Sequence, residues 1–472
     1  MSDVDFGIDP WAGAATIAAR VRAGQWRAQD VIEAALHSVA LRDPVLNAFT
    51  DITCEHARRQ AQAIDAGNGA GLSGADLPLA GVPFAVKNLF DVAGLPTRAG
   101  SQINRDRAPA TRDAALVRRL EAAGAVLLGT CNMGEYAYDF TGENSHDGPS
   151  RNPHDPARMS GGSSGGSASA VAGGIVPFAL GSDTNGSIRV PSSFCGLFGL
   201  KPTYGRLSRA GSFPFVSSFD HLGPLARSVL DLALCYDAMQ GPDPDDPACA
   251  ARPADPLTPS LDAGAAGLRI AVATGYFRQG ASSQALAAVE RVAQALGATA
   301  EIDLPDTTLA RSAAYIISTT EGAALHLRRL RTRPDEFDPD VRDRLLAGAM
   351  VPAALVTQAQ KFRRWYRDQV AALFETVDAI IAPATPTSAP RIGQKTFVLD
   401  GEEMLVRPNI GLFTQPFSFI GLPVVAVPVF TDTLPIGVQI VAAPWREDVA
   451  LRIAAQLERD GVVAARRPQT WS

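Results

Sequence analysis

Residues 159–174 read MSGGSSGGSASAVAGG and run without a break into the apolar stretch IVPFALGSD. No other segment constrains the fold so strongly. Such a tract suits a flexible linker, a phosphate-cradling loop, or a loop whose backbone helps do chemistry. A linker joins self-sufficient units. This one leads straight into small and apolar residues suited to a tightly packed helix and strand. A phosphate loop needs GxxxxGK[ST], with lysine as the counter-charge, and no lysine follows until Lys201.

The third reading needs a second motif, and LGSDTNGSIRVPSSFCGLFGLKPT (180–203) supplies one. Ser187 closes a tight Asn185-Gly186-Ser187 turn after a predicted strand. Small side chains there leave backbone N–H groups bare, and several N–H groups aimed at one point make an oxyanion hole. A third element is Lys87, the one charge at the end of AGVPFAVK. A lone lysine ending a strand is ordinarily solvated. Beside two serine motifs it reads as a catalytic base.

Composition closes off other classes. The 472 residues carry a formal net charge of -6 and no basic block, which argues against direct nucleic-acid binding. The start, MSDVDFGIDP, has no apolar core and does not read as a signal peptide. No apolar run reaches the roughly 18–20 residues of a membrane span. Cys54, Cys131, Cys195, Cys235 and Cys249 are scattered without metal-ligand spacing, which predicts free thiols in a reducing, cytoplasmic setting. The six histidines form no HxH or HxxxH pair, so no metal is expected.

The pattern along the chain is α/β. Helices are predicted over WAGAATIAARVRAG and AQDVIEAALHSVALRD, then an Ala/Gly-rich loop near 66–75, then a strand near 82–87. A helix, a stop at Gly124 and a strand follow, giving the strand–helix–strand unit of a partly parallel sheet. The Pro/Asp-rich stretch 241–262 reads as a surface excursion. Beyond it lie a helix over 283–296, a long helical tract at 308–376, buried strands in VDAIIAPATP, GLPVVAVPV and PIGVQIVAA, and a closing amphipathic helix. Asp183 and Arg189 flank Ser187 and are expected to pair structurally. Cys195 reads as a small core residue, and His221 as structural, without an evident partner.

Lys87, GGSSGGSASAVAGG and GSDTNGSIRVPSSFCGLFGLKPT together resemble the amidase signature family. Ser163 and Ser187, 24 positions apart, match its paired serines. The resemblance extends more weakly over about residues 60–460. It implies one α/β domain over 1–472, with a large mixed sheet covered by helices on both faces. Within it, 1–60 would be an N-terminal helical segment, 61–240 the catalytic core, 241–262 the excursion and 263–472 the second half. The family chemistry places a triad at Ser187 (nucleophile), Ser163 (proton relay, after a cis peptide bond) and Lys87 (general base). To act near pH 7, Lys87 must have its charged form disfavoured by about 4.6 kcal/mol, which burial can achieve.

The same resemblance assigns the oxyanion N–H groups to Thr184, Asn185, Gly186 and Ser187. Many members read GTDTGGS where this chain reads GSDTNGS, so Asn185 replaces a glycine and is expected to narrow the substrate. Asn tolerates a left-handed backbone, so the turn survives the change. Asn88 stands where aspartate is frequent. Tyr138 and Asp139, in GEYAYDFTGENSHDGPSRNPHD, are placed at the substrate, and their polarity implies a small polar amide. The overall pattern is most similar to the 1-carboxybiuret hydrolase branch, which acts on a urea-like carboxylate. The runner-up is the glutaminase subunit of aminoacyl-tRNA amidotransferase, and a free-standing broad amidase is the third reading. No cofactor is implied. A small helical partner subunit is implied, and Phe413, Phe417 and Phe419, with the 308–376 tract, are the features expected to leave apolar surface for it.

Overall fold

The computed structural model describes residues 7–67, 77–431 and 434–471. Its first half carries β1 (Phe49–Ile52), β2 (Pro83–Lys87), β3 (Val126–Cys131), a small β4–β5 hairpin (Arg151–Asn152 and Asp155–Met159), β6 (Phe178–Asp183), β7 (Phe198–Lys201) and β8 (His221–Ala226). The second half carries β9 (Ile270–Ala273), β10 (Ala300–Ile302), β11 (Ala379–Pro383), a β12–β13 hairpin (Thr396–Leu399 and Glu402–Leu405), β14 (Val424–Phe430) and β15 (Pro435–Ala442).

Eleven strands form one mixed sheet in the order β1-β3-β2-β6-β8-β7-β14-β15-β11-β9-β10. Strand β2 runs parallel to β3 and β6, and β8 lies antiparallel to both β6 and β7. Alternate residues of one strand enter two separate apolar cores. Phe84, Val86, Leu127, Phe178 and Leu180 enter one, and Ala85, Val126, Leu128 and Ala179 the other. Both faces of the sheet centre are therefore covered, which is why these strands read as nearly unbroken apolar runs.

The Gly/Ser tract is the opposite of a linker. Every residue from 159 to 203 is buried. Helix Gly165–Ala172 packs so closely that a Cβ on Gly166 would come within 2.3 Å of the Ala48 carbonyl oxygen. Small residues are required here because backbone meets backbone.

The expected elements are present with shifted ends. The second predicted helix runs on through Pro44 to Leu46 and closes at Asn47 in the left-handed region. The long tract is three helices, Thr307–Thr332, Pro339–Ala349 and Ala353–Leu373. The Ala/Gly-rich loop falls mostly on residues 68–76, outside the described residues. One expectation is overturned. Phe413, Phe417 and Phe419 are all fully buried, not surface. Phe417 stacks on Phe277 with ring centroids 5.0 Å apart, and Phe419 meets Phe219 edge-on at 5.6 Å. Aromatic pairs of this kind belong to core.

Candidate active site

Strand β2 ends at Lys87, strand β6 ends at Asp183, and the Gly/Ser tract turns into its helix beside them. Lys87 is fully buried, with its Nζ 2.6 Å from Ser163 Oγ and 2.8 Å from Ser182 Oγ. The Gly162–Ser163 peptide is cis. Burial pulls the Lys87 pKa down to about 7, against the carboxylates of Asp220, Asp183 and Asp139, which favour the ammonium. A lysine in this state exchanges a proton near neutrality.

Ser187 follows β6 in a turn held on every side. Ile188 N–H donates to Asp183 Oδ2 at 3.2 Å, and Val190 N–H to the Gly186 carbonyl at 2.8 Å. Thr414 Oγ1 donates to the Asn185 carbonyl at 2.7 Å. Among the described residues, the N–H groups of Thr184, Asn185, Gly186 and Ser187 have no protein acceptor. Gly186 sits at φ +144°, and a Cβ there would meet Thr414 Oγ1 at 2.2 Å. The positive φ falls on Gly186 and not on Asn185, so the tolerance of asparagine for a left-handed backbone is not what the turn uses. No hydrogen bond joins Ser163 to Ser187 among the described residues. Catalytic contacts of this kind commonly tighten only when substrate binds.

Asp183 and Arg189 form a fully buried ion pair, joined by two 3.0 Å hydrogen bonds. Burial alone would raise the Asp183 pKa, but the Arg189 charge and hydrogen bonds hold it well below the usual carboxylate range. Arg189 also donates to the Thr414 carbonyl at 3.0 Å and to Gln439. His221 has a partner after all, since its Nδ1 lies 3.1 Å from the Asp183 carbonyl. Cys195 is buried, and its thiol lies 3.3 Å from the Ser160 carbonyl. Asn88 closes the neighbouring loop by accepting the Gly100 N–H at 2.9 Å.

A cavity of about 400 Å³ opens over Ser187, with Thr184, Asn185, Tyr138 and Asp139 in its wall. Asn185 Nδ2 donates to Ser318 Oγ at 2.9 Å, and its Oδ1 is buried with no partner among the described residues. Tyr136 and Ala137 lie at φ 50° and 61°, and this bend delivers Tyr138 to the cavity. The Tyr138 hydroxyl is likewise buried with no hydrogen bond of standard geometry. Burial pushes its pKa up, with the nearby Tyr315 hydroxyl adding to the effect, so it stays a donor.

Asp139 is different. Its carboxylate accepts from Thr141 N–H (2.9 Å), Thr141 Oγ1 (2.8 Å), Gly142 N–H (2.7 Å) and Arg407. These four donors fill the acceptor capacity of a carboxylate. Sequence reasoning missed Ser182, Ser318, Arg344 and Arg407. Ser182 lies inside the GSDTNGS motif near the end of β6, the strand paired with β2, and that placement is the signal that could have put it at Lys87. The others come from distant segments with no local signature.

The amidase family pattern matches residues 30–451 of this chain. The chain belongs to the amidase family. It is 54% identical over 445 residues to AtzE, a 1-carboxybiuret hydrolase subunit of Pseudomonas sp. (strain ADP), covering 94% of this chain and 97% of that protein. It is 39% identical to a glutamyl-tRNA(Gln) amidotransferase subunit of Azotobacter vinelandii, covering 94% and 96%. A solved structure, described as an unexpected vestigial protein complex that reveals the evolutionary origins of an s-triazine catabolic enzyme, superposes with a TM-score of 0.94 at 53% identity, over 96% of this chain and all of that one. The fold is the amidase signature fold, and the chain is an amidohydrolase acting on C–N amide bonds.

Proposed function

We propose that this amidohydrolase cleaves a small, polar, urea-like carboxylated amide, as the name of its 1-carboxybiuret hydrolase relative suggests. The observation that carries the mechanism is Lys87, buried, titrating near 7 and 2.6 Å from Ser163. Ser187 Oγ attacks the amide carbonyl while its proton passes to Ser163 and the Ser163 proton to Lys87. The free N–H groups of 184–187 receive the developing oxyanion. Lys87 returns a proton through Ser163 to the departing nitrogen, leaving an acyl-enzyme. Water then enters by the same route and releases the acid.

Tyr138 and Asn185, both in the cavity wall beside Ser187, shape the space the substrate occupies. Asp139, saturated by protein donors, holds its loop and Arg407 in place.

The glutaminase reading rests on the amidotransferase relative. Glutamine carries an α-ammonium that needs a free carboxylate. In the cavity wall, Asp139 and Asp340 lie within ion-pair distance of Arg407, and Asp343 within that of Arg342. That supports an anionic substrate over glutamine. Ammonia release from biuret derivatives, urea carboxylates, glutamine and aliphatic amides tests both. Fastest turnover of glutamine would reverse the ranking.

The same reading includes a small helical partner and a cytoplasmic setting. Its support is no longer the phenylalanines. It is the exposed Leu309, Leu325, Leu346, Leu355 and Trp365 on the three helices of the 308–376 tract, with Met350 just past the end of the second. The structure of the similar protein described as a complex supports it too. All five cysteines are unbridged, as a reducing compartment favours. No helix among the described residues is long and apolar enough to cross a membrane. Expression alone and beside a small helical protein encoded next to it, compared by light scattering and assay, tests the partner. Full activity and a well-behaved species without one would remove it.

A further inference from the structure

We propose that Asp220 is a positioning residue for the reaction. It clamps the turn that carries Ser187 to the loop that carries Phe215, and its carboxylate is the counter-charge for the ammonium that Lys87 becomes each time it takes a proton. This rests on the triad reading of Lys87, Ser163 and Ser187 and deepens it.

Asp220 is buried and stands immediately before strand β8, whose first residue, His221, pairs with Asp183 at the end of β6. Its side chain reaches in two directions. Oδ1 accepts from Thr184 Oγ1 at 2.6 Å, in the turn that leads to Ser187. Oδ2 accepts the Phe215 N–H at 2.8 Å, and both oxygens lie 3.1 Å from the Val216 nitrogen, which donates to them. Phe215 stands in the cavity wall with Ser187, and its ring centre is 4.7 Å from that of Tyr138. One carboxylate therefore fixes the spacing between the turn of the nucleophile and an aromatic part of the wall. Burial raises the Asp220 pKa, and the Thr184, Phe215 and Val216 donors with the Arg209 charge draw it back toward the carboxylate.

The charge of Asp220 is also unspent. Burial disfavours the Lys87 ammonium, and the carboxylates that oppose this are Asp220 first, then Asp183 and Asp139. Asp183 is paired with Arg189, and Asp139 with Arg407. Asp220 has no cation within ion-pair distance among the described residues. Arg209, which acts on it from further off, is bonded to Asp246 at 3.0 Å. Lys201 and His221, the other buried basic groups nearby, act on Asp183. A cation formed in a buried site is costly unless an anion compensates it. When the Ser187 proton passes through Ser163 to Lys87, Asp220 is the anion still free to do so. No hydrogen bond or ion pair joins it to Lys87 among the described residues, so Nζ stays turned to Ser163 and Ser182.

The test uses the whole enzyme, prepared with its partner if it needs one, and follows ammonia release from its best amide between pH 5 and 9. With Lys87 titrating near 7, kcat/KM rises through that pH in wild type. Asp220→Asn loses the charge and keeps the shape, since its amide oxygen still accepts from 215 and 216 and its NH2 donates to the Thr184 hydroxyl. Lys87 then holds its proton less well, so the rising limb should move about one pH unit to the acid side. Plateau kcat should fall on the order of 10-fold, because a weaker base takes the proton, with little change in KM. Asp220→Glu, which restores a carboxylate, should bring the limb back toward the wild-type pH. Thr184→Val cuts the clamp and keeps the charge, so kcat should fall with the limb unmoved. Thermal melts identify the folded variants, and Asp220→Ser is the neutral variant to measure should Asp220→Asn not fold. A limb at the wild-type pH in a folded neutral variant overturns the counter-charge even if kcat declines, because a merely structural role lowers kcat without moving the limb. Unchanged kcat in Thr184→Val overturns the clamp. A wild-type profile in Lys87→Ala is a separate result, and sinks the triad reading itself.

Discussion

Lys87 Nζ lies 2.6 Å from Ser163 Oγ at the fully buried end of strand β2. Burial brings its pKa down to about 7, so near neutrality it is divided between amine and ammonium, and its polar neighbours are two hydroxyls, Ser163 and Ser182.

The first expectation is a pH profile. With the Lys87 pKa near 7, the active form is the neutral amine, so kcat/KM should rise as pH increases through about 7 and level off above it. Lys87→Ala should abolish that limb and lose most activity at neutral pH, with partial recovery at high pH as hydroxide replaces the base. Ser163→Ala acts through the same relay, so the double variant should be far less impaired than the product of the two single effects. Identical profiles for wild type and Lys87→Ala, measured by ammonia release from pH 5 to 9, would remove Lys87 from the chemistry.

A second expectation concerns stability. The free lysine value of 10.5 falls to about 7 on folding, so folding is penalised wherever the unfolded chain keeps the proton. The penalty is complete below pH 7, on the order of 5 kcal/mol at most, shrinks between 7 and 10.5, and vanishes above. Lys87→Met removes it, offset in part by the two serine hydroxyls that lose their partner. The variant should be inactive yet gain most over wild type near pH 6, and the gap between their melting temperatures should narrow toward pH 10. A gap independent of pH would show that Lys87 is not buried neutral.

What the sequence disclosed, and what it withheld, follows from distance along the chain. Lys87, Ser163 and Ser187 stood out in the sequence because each sits in a local run of small or apolar neighbours, and the structure brings Lys87 and Ser163 within 2.6 Å. The strands on either side of the excursion were partly legible as apolar runs. Strands β7 and β8 were not singled out, since FGLK and HLGPLA are short and broken by glycine and proline. Arg344 and Ser318 were invisible, because their meaning lies in contacts with Tyr138 and Asn185, more than a hundred residues away. Phe413, Phe417 and Phe419 were misplaced for the same reason. Their ring partners Phe277 and Phe219 come from elsewhere in the chain, so a run that looks like surface locally is interior.

A third expectation addresses the support of the nucleophile turn. Arg189→Met leaves Asp183 buried without its cation, a loss of about 3–5 kcal/mol for a broken buried pair. The Thr414 carbonyl and Gln439 lose a donor with it. Chemical denaturation should show a clear drop in midpoint, and residual folded enzyme should have a lowered kcat because the 184–187 turn is no longer pinned. Unchanged stability and turnover would mean that the pair does not position the turn.

A fourth expectation is steric. Gly186→Ala places a Cβ 2.2 Å from Thr414 Oγ1 at φ +144°, a backbone region that L-residues with side chains rarely occupy. The turn must shift, which displaces the N–H groups around it. Losing one oxyanion donor costs about 100–1000-fold in kcat in comparable sites, so the loss should appear in kcat far more than in KM. Wild-type kcat in a folded Gly186→Ala protein would show that these N–H groups are not the oxyanion donors.

The last expectation separates the two roles open to Asn185. Its side chain spans from the 184–187 turn to Ser318 on helix Thr307–Thr332 and so occupies part of the cavity wall. Asn185→Gly deletes that span, opens room in the cavity wall next to Ser187 and removes a buried amide oxygen that has no partner among the described residues. Relative kcat/KM should shift toward bulkier amides such as benzamide and hexanamide, on the order of 10-fold against the small carboxylated substrate, the scale on which pocket shape discriminates. Ser318→Ala is the companion variant. It releases the amide without deleting it, so it should loosen selectivity less than Asn185→Gly does. If both variants keep the wild-type ranking across the amide series, Asn185 serves only as backbone in the turn, and selectivity must come from Tyr138, Arg344 and the rest of the wall.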